Sequence, residues 1–456
     1  MSTPVRPDRT GGPDRAEDLA TRPLGSLLWW SCSQTTLGVG VYGIYALTNA
    51  WFVSRGVGET ALAAVNLVAP LLLLLGAVST TVGVGAASLV ARRLGGGDPA
   101  SAGRAAGNAF SLFWATALAT TGIGLAFLDP LLRLVGATDA TLPYARPYAA
   151  VLLAGAVFST GFSAIVRAEG QVGYSTAIWV AAVAVQITLD PLLIYGLDMG
   201  VTGAALGTVG GQAVSAAMAL WFFFGRRRRP YRVGARDLIP QAATVRDTVA
   251  IGSPSLLAGI GSTLLVALAN AALATAGVAA LAAYALAERV RTFVTMPQIG
   301  ITQGVQPIVA YNHGRGHHAR VARTLTLSLR ATVLYGIGAA GLIAVAASPV
   351  ASLFVSDAAA HGEAVTALRI VMIGVAVAGL PPLIAASFQS RGMPGPSYVI
   401  SLGTLLVIKV PLVLVLGGLG PTGVWVALAA GEVLAAAAAL AVLARARRRI
   451  GQDRLR

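Results

Sequence analysis

The sequence predicts an all-α integral membrane protein, with twelve transmembrane helices in two pseudo-symmetric six-helix lobes. Three observations carry that expectation. The 456-residue chain is 56% hydrophobic and only 11% charged, with mean hydropathy +0.74. Its apolar residues gather into long runs separated by polar or Gly/Pro punctuation, and landmarks of the first half recur in the second at a nearly constant offset. A soluble globular protein is nearer a quarter charged, so this little polar surface could not cover a water-soluble body of such size. A spanning helix, in contrast, needs about 20 apolar residues.

The first two dozen residues are polar and rich in Pro and Arg, so residues 1–26 read as a disordered cytosolic tail. No short apolar stretch followed by a cleavage site marks a removable signal peptide. Apolar runs then fall at roughly 27–53, 60–91, 105–128, 144–166, 174–197 and 200–224, which make the N-lobe, residues 27–224. An Arg-rich segment, 225–245, reads as a cytosolic linker. The runs resume at roughly 246–275, 279–311, 322–350, 364–389, 397–418 and 422–444, giving the C-lobe, 246–444, before a basic cytosolic tail at 445–456. Runs longer than a straight crossing allow tilt.

The net charge of +15 points away from nucleic acid once each base is placed. Of 33 Lys+Arg residues all but Lys409 are arginine, and almost none lies inside an apolar run. With both termini cytosolic, the inside segments hold 25 arginines, whereas the outside loops hold only Arg55, Arg133, Arg146 and Arg369. That asymmetry is the positive-inside signature of membrane topology, and an error of one span would scramble it.

Sliding the chain on itself by 219 residues gives a gapless match over 58–104. Ala61-Leu62-Ala63-Ala64 meets Ala280-Leu281-Ala282-Ala283, and Gly58, Gly85, Gly95, Gly97 and Arg104 meet Gly277, Gly304, Gly314, Gly316 and Arg323. With Leu67, Val90 and Ala91 the match reaches a dozen identities, where this composition would give roughly four by chance. Later the offset becomes 220, and Gly200-x-Thr202-Gly203 meets Gly420-x-Thr422-Gly423. Six spans separate the copies, so the repeats are parallel and related by an axis along the membrane normal. Secondary transporters commonly place substrate between such halves.

Of the eighteen acids, three lie deep in apolar runs: Asp190, Glu288 and Glu432. A carboxylate at a helix centre costs about 2.5–3.5 kcal/mol on insertion scales, so it is usually paired, protonated or functional. Burial penalises the charged form of any carboxyl group, which suits a proton carrier. Asp190 precedes Pro191, whose missing N–H and ring free carbonyls upstream, and acceptors beside a carboxylate suit a proton or sodium ion. The structural alternative is an Asp satisfied by Thr188, Gln186 or a neighbouring helix. Glu288 is spaced to pair with Arg291 on one helix face, so an ion-coupling and a structural role stand side by side. Glu432 reads mainly as an interhelical contact, and Lys409 as a partner for an anionic group or an acid. Polar residues within spans 1, 5 and 8 (Gln34, Tyr45, Asn49, Gln186, Gln298, Gln303, Gln306) are candidate substrate-cavity groups, although most such residues simply join helices. His313, His317 and His318 sit among basic residues and read as a solvated loop rather than a metal site. No phosphate-binding GxxxxGK[ST] sequence appears, so energy would come from an ion gradient unless passage is passive.

In combination these residues resemble the multidrug and toxic compound extrusion (MATE) transporters, over about 27–440. The landmarks are Ala61-Leu62-Ala63-Ala64-Val65-Asn66-Leu67-Val68-Ala69-Pro70, Arg167-Ala168-Glu169-Gly170, Leu189-Asp190-Pro191-Leu192-Leu193-Ile194, Gly200-Val201-Thr202-Gly203-Ala204-Ala205 and Gln303-Gly304-Val305-Gln306-Pro307-Ile308-Val309-Ala310-Tyr311-Asn312. The resemblance implies a multi-pass protein of the bacterial inner membrane with both termini cytoplasmic. It implies rocker-switch export of small amphipathic organic compounds against protons or Na+, with no cofactor, no nucleic-acid partner and a monomeric chain in the lipid bilayer. The family's N-lobe site has a Tyr and an Asp on span 1, an Asn and an Asp on span 5 and a Thr on span 6. Tyr45, Asp190 and Thr208 match it, whereas Asn49 replaces the span-1 Asp and Gln186 the span-5 Asn. With a neutral amide at 49, the N-lobe keeps one obvious proton carrier. Either Glu288 or Glu432 supplies a second, the stoichiometry is lower, or the substrate is not a simple cation. The runner-up is a flippase for a lipid-linked precursor, which needs a basic cavity. A membrane-embedded enzyme would need clustered catalytic carboxylates or histidines, and no such cluster is present in the sequence.

Overall fold

The computed structural model describes residues 15–158, 161–226, 229–354 and 358–453, and among these no strand occurs. Expectations resting on residues 1–14, on Arg227 and Arg228, or on 454–456 lie outside the described residues. Twelve helical segments follow the order read from the sequence. Spans 1 to 3 are Leu24–Gly56, Glu59–Gly95 and Pro99–Ala126. Spans 4 to 6 are Leu142–Ala168, Val172–Gly196 and Gly200–Gly225. Spans 7 to 9 are Ala242–Ala274, Val278–Gly314 and His318–Val345. Spans 10 to 12 are Ala360–Ser390, Pro394–Leu419 and Pro421–Asp453. Among the described residues, nine of these are long and apolar enough by themselves to cross a membrane. The other three, spans 1, 2 and 8, are helices of 33, 37 and 37 residues that complete the two sets of six.

The turns between spans repeat as the sequence does. Gly58 and Gly277, which precede spans 2 and 8, have φ of 109° and 101°; Gly97 and Gly316, which follow them, have φ of 75° and 76°. A side chain is strained in that left-handed region, which is why glycine recurs at both places. After Gly97, Asp98 starts span 3 by accepting a hydrogen bond from the Ser101 amide at 2.9 Å, with Pro99 at the first helical position.

The lobes meet where span 1 packs on span 8 and span 2 on span 7. A two-fold exchange of the lobes turns one pairing into the other. The reciprocity reaches single atoms. A β-carbon on Gly95 would stand 2.0 Å from the Tyr311 carbonyl oxygen, and one on Gly314 would stand 2.0 Å from that of Arg92. Gly314 and Tyr311 each lie 219 residues beyond Gly95 and Arg92, so these are one contact seen twice. Gly85 and Gly252 close the span 2–span 7 contact in the same way, against the carbonyls of Thr248 and Thr81. Small residues let backbones approach where apolar lipid gives no hydrophobic push between helices. Side chains add Ser31 Oγ to the Gly304 carbonyl at 2.8 Å, Thr35 Oγ1 to that of Gly300 at 2.6 Å and Ser88 Oγ to that of Gln389 at 2.6 Å. These contacts lie toward the end of the bundle that carries the termini. Farther along span 2, Gly76 has nothing among the described residues within 4 Å of its β-carbon position.

The expected disordered tail over 1–26 is corrected from residue 15 onward. Arg15–Thr21 is a helix, and Ala16, Leu19, Leu24 and Leu27 are buried in a core shared with both lobes. Asn312 Nδ2 and Arg320 Nε donate to the Leu19 carbonyl at 2.9 and 3.3 Å, and a second Arg320 nitrogen reaches the Arg22 carbonyl at 2.6 Å. Average composition hides this short apolar face, because its anchors come from residues some 290 positions away.

Candidate substrate and coupling sites

Four N-lobe candidates are set by helical spacing. Tyr45 and Asn49 stand one turn apart on span 1, as do Gln186 and Asp190 on span 5, so each pair shares a helix face. Thr208 comes from span 6. The structure brings all five together. Gln186 Nε2 donates to Thr208 Oγ1 at 2.8 Å, the Thr208 hydroxyl donates to the Ala204 carbonyl at 3.1 Å, and Tyr45 Oη lies 3.3 Å from Thr208 Oγ1. Asn49 Nδ2 donates to Asp190 Oδ2 at 3.4 Å. Asp190 is fully buried, and its Oδ1 has no hydrogen-bond partner among the described residues.

Of the partners in the structural alternative, Thr188 and Gln186 do not satisfy Asp190, whereas a neighbouring helix does reach it, through Asn49 of span 1. Thr188 Oγ1 donates to the Ala184 carbonyl, and Gln186 is engaged by Thr208. What makes room for the carboxylate is span 6, where Gly207 presents no side chain and a β-carbon would fall 2.0 Å from Asp190 Oδ1. Gly203 and Gly211, one turn to either side, admit span 5 backbone at Leu193 and Ala182. Immediately after Pro191, Leu192–Gly196 is wound as a π-helix, with the Leu197 amide bonded to the Leu192 carbonyl at 3.0 Å. Such widened turns often mark functional sites.

The C-lobe holds a different arrangement. Glu288 receives Arg291 through Nε at 2.7 Å and through a second guanidinium nitrogen. Lys409 donates to Glu432 Oε1 at 2.7 Å. Both pairs line a cavity of about 180 Å³ together with Tyr284 and apolar residues of spans 7, 10, 11 and 12. Glu288 is therefore held by a base, whereas Asp190 is met by the neutral Asn49 amide. Gln303 and Gln306 join neither set; they line a small cavity of about 20 Å³ between the lobes, beside Arg167 and Ser390.

Sequence reasoning missed one buried ion pair. Glu169, at the end of span 4, accepts from Arg229 of the linker and from the Tyr231 hydroxyl, and the two charged side chains are 1% and 3% exposed. Arg229 looked like one more cytosolic charge because nothing local separates it from its arginine neighbours. Asn108 fixes the next stretch of linker, donating to the Asp237 and Ile239 carbonyls at 2.9 and 3.2 Å.

Two six-helix lobes joined along a glycine seam, each with charged groups inside an apolar bundle, define a two-lobed membrane transporter. The chain belongs to the MATE family: the MatE pattern matches residues 38–192 and 254–415. It is 27% identical over 420 residues to the multidrug export protein MepA of Staphylococcus haemolyticus, covering 90% of this chain and 91% of that one. It is 24% identical over 402 residues to an FAD transporter of Shewanella oneidensis, covering 86% and 88%. Among solved structures, a MATE protein in complex with MaL6 superposes with a TM-score of 0.89 at 25% identity, covering 97% of this chain and 99% of that one. An outward-facing multidrug resistance MATE transporter gives the same values.

Proposed function

We propose that this chain is an ion-coupled antiporter that exports small amphipathic organic compounds in exchange for protons or sodium ions. The observation that carries the reading is Asp190, a fully buried carboxyl group which, among the described residues, has one oxygen unpartnered and the other facing the Asn49 amide. A group so placed can take up and release a cation without breaking an ion pair. The named activities of the relatives, multidrug export above all, support organic substrates. The arginine distribution favours cytosolic termini. With that orientation the seam closes the cytosolic side, and alternating access proceeds by parting these glycine contacts while the opposite ends close.

The flippase alternative gains no support, because the C-lobe cavity matches its two bases with two acids. The test is dye efflux from inverted vesicles under an imposed pH or sodium gradient. Efflux should follow one of the two gradients. Active protein indifferent to both would end the coupling claim.

A further inference from the structure

The two ion pairs of the C-lobe differ from the sealed pair at Glu169 in a way that suggests a use. Glu169 and Arg229 are 1% and 3% exposed, as befits a structural tie. Lys409 and Glu432 keep 20% and 14% of their side-chain surface open, and Arg291 and Glu288 keep 28% and 26%. All four line the same cavity. Span 11 is irregular there. Val399–Gly403 and Leu405–Lys409 are both wound as π-helix, and the second ends on the lysine. On span 12, Gly431 lies alongside the Lys409 stem, one residue before Glu432.

The cavity is formally neutral, with two acids and two bases, and its other walls are largely apolar. Its volume of about 180 Å³ exceeds the roughly 150 Å³ of an apolar cavity known to take in benzene. A lone organic cation entering here would compete with Lys409 for Glu432 and strand the displaced ammonium in a low-dielectric site, and a lone anion would strand the carboxylate. A molecule carrying both charges inserts between the pair and leaves each with a partner.

We propose that the C-lobe cavity is a second substrate site, selective for amphipathic zwitterions, whose ammonium and carboxylate groups engage Glu432 and Lys409 across an apolar pocket. The proposal rests on the reading of the chain as an exporter of organic compounds only in calling the ligand a substrate.

The probes are three indoles of similar size: L-tryptophan, the cation tryptamine and the anion indole-3-propionate. Their binding is measured on purified full-length protein by scintillation proximity with tritiated tryptophan and competition by the other two. Tryptophan should bind at least about tenfold more tightly than either singly charged relative. Lys409→Met and Glu432→Gln should each weaken it by about tenfold or more, and Asp190→Asn should leave it unchanged. Leu428→Phe, which adds bulk to the cavity lining and removes no charge, should weaken it too; this variant decides the matter if the charge variants do not fold. Tryptamine binding as tightly as tryptophan, tryptophan not binding at all, or Leu428→Phe without effect would each overturn the proposal. Failure of gradient-driven dye efflux alongside intact tryptophan binding would instead refute the antiport reading and leave this site standing.

Discussion

A β-carbon on Gly207 would stand 2.0 Å from Oδ1 of Asp190, closer than any real contact permits. The space for the carboxylate is thus provided by a residue on a different helix. Gly203, Gly207 and Gly211 form one glycine face of span 6 against span 5, the small-xxx-small spacing that lets membrane helices approach. Gly207→Ala should push Asp190 out of place, at about 1–3 kcal/mol for an overpacked contact. Gradient-driven efflux should fall sharply, with a lower midpoint in a detergent thermal-unfolding assay. Normal efflux from Gly207→Ala would show that the carboxylate has other room.

Asn49 faces Asp190 at 3.4 Å, so Asn49→Asp places a second carboxyl group against the first. One-for-one exchange of a monovalent cation for a proton moves no net charge. With a second exchanging proton, membrane voltage contributes about 2.3 kcal/mol per 100 mV. Export of a monovalent dye from proteoliposomes should become voltage-sensitive in Asn49→Asp, as read with a potassium diffusion potential. Equal response of variant and parent would assign the charge bookkeeping elsewhere.

Thr208 accepts from Gln186 at 2.8 Å inside the N-lobe, whereas Tyr45 reaches it only at 3.3 Å. Thr208→Val should strand the buried Gln186 amide and cost about 1–3 kcal/mol. Tyr45→Phe should cost below about 1 kcal/mol, the usual size for such interhelical bonds. Thermal unfolding in detergent ranks the two, and a larger loss from Tyr45→Phe would contradict the geometry.

Cys32, the one cysteine of the chain, sits in the seam with its Sγ 3.8 Å from the Ile301 carbonyl. It is a natural reporter of seam opening. Gly95→Val and Gly314→Val insert side chains where β-carbons have 2.0 Å of room, at symmetry-related points. Both should speed labelling of Cys32 by a thiol reagent, and by similar factors. A large effect from only one of them would mean that the seam does not part as a two-fold pair.

Much of this was legible in the sequence. The 219-residue offset aligned Gly95 with Gly314 and Gly58 with Gly277, and the structure gives those glycines matching contacts and matching φ. The family resemblance grouped Tyr45, Asn49, Gln186, Asp190 and Thr208 at one N-lobe site, and the structure places them together. What escaped is whatever depends on a distant partner: the role of Gly207, the docking of Leu19 under Asn312, and the capture of Arg229 by Glu169. Each of those residues has unremarkable neighbours in the chain. Gly207 alone carried a readable signal, its spacing from Gly203 and Gly211. Gln303 and Gln306 were grouped with the cavity residues by polarity, yet they face the space between the lobes because the seam side of span 8 points there.

In the proposed antiport, Asp190 is the group that exchanges its cation. Proteoliposomes loaded with a pH-sensitive dye, or with a sodium-sensitive one, report ion movement when an exported compound is added. Wild-type protein should move one of these ions with substrate, and folded Asp190→Asn should bind substrate while moving neither. Undiminished substrate-driven ion flux in Asp190→Asn would contradict it.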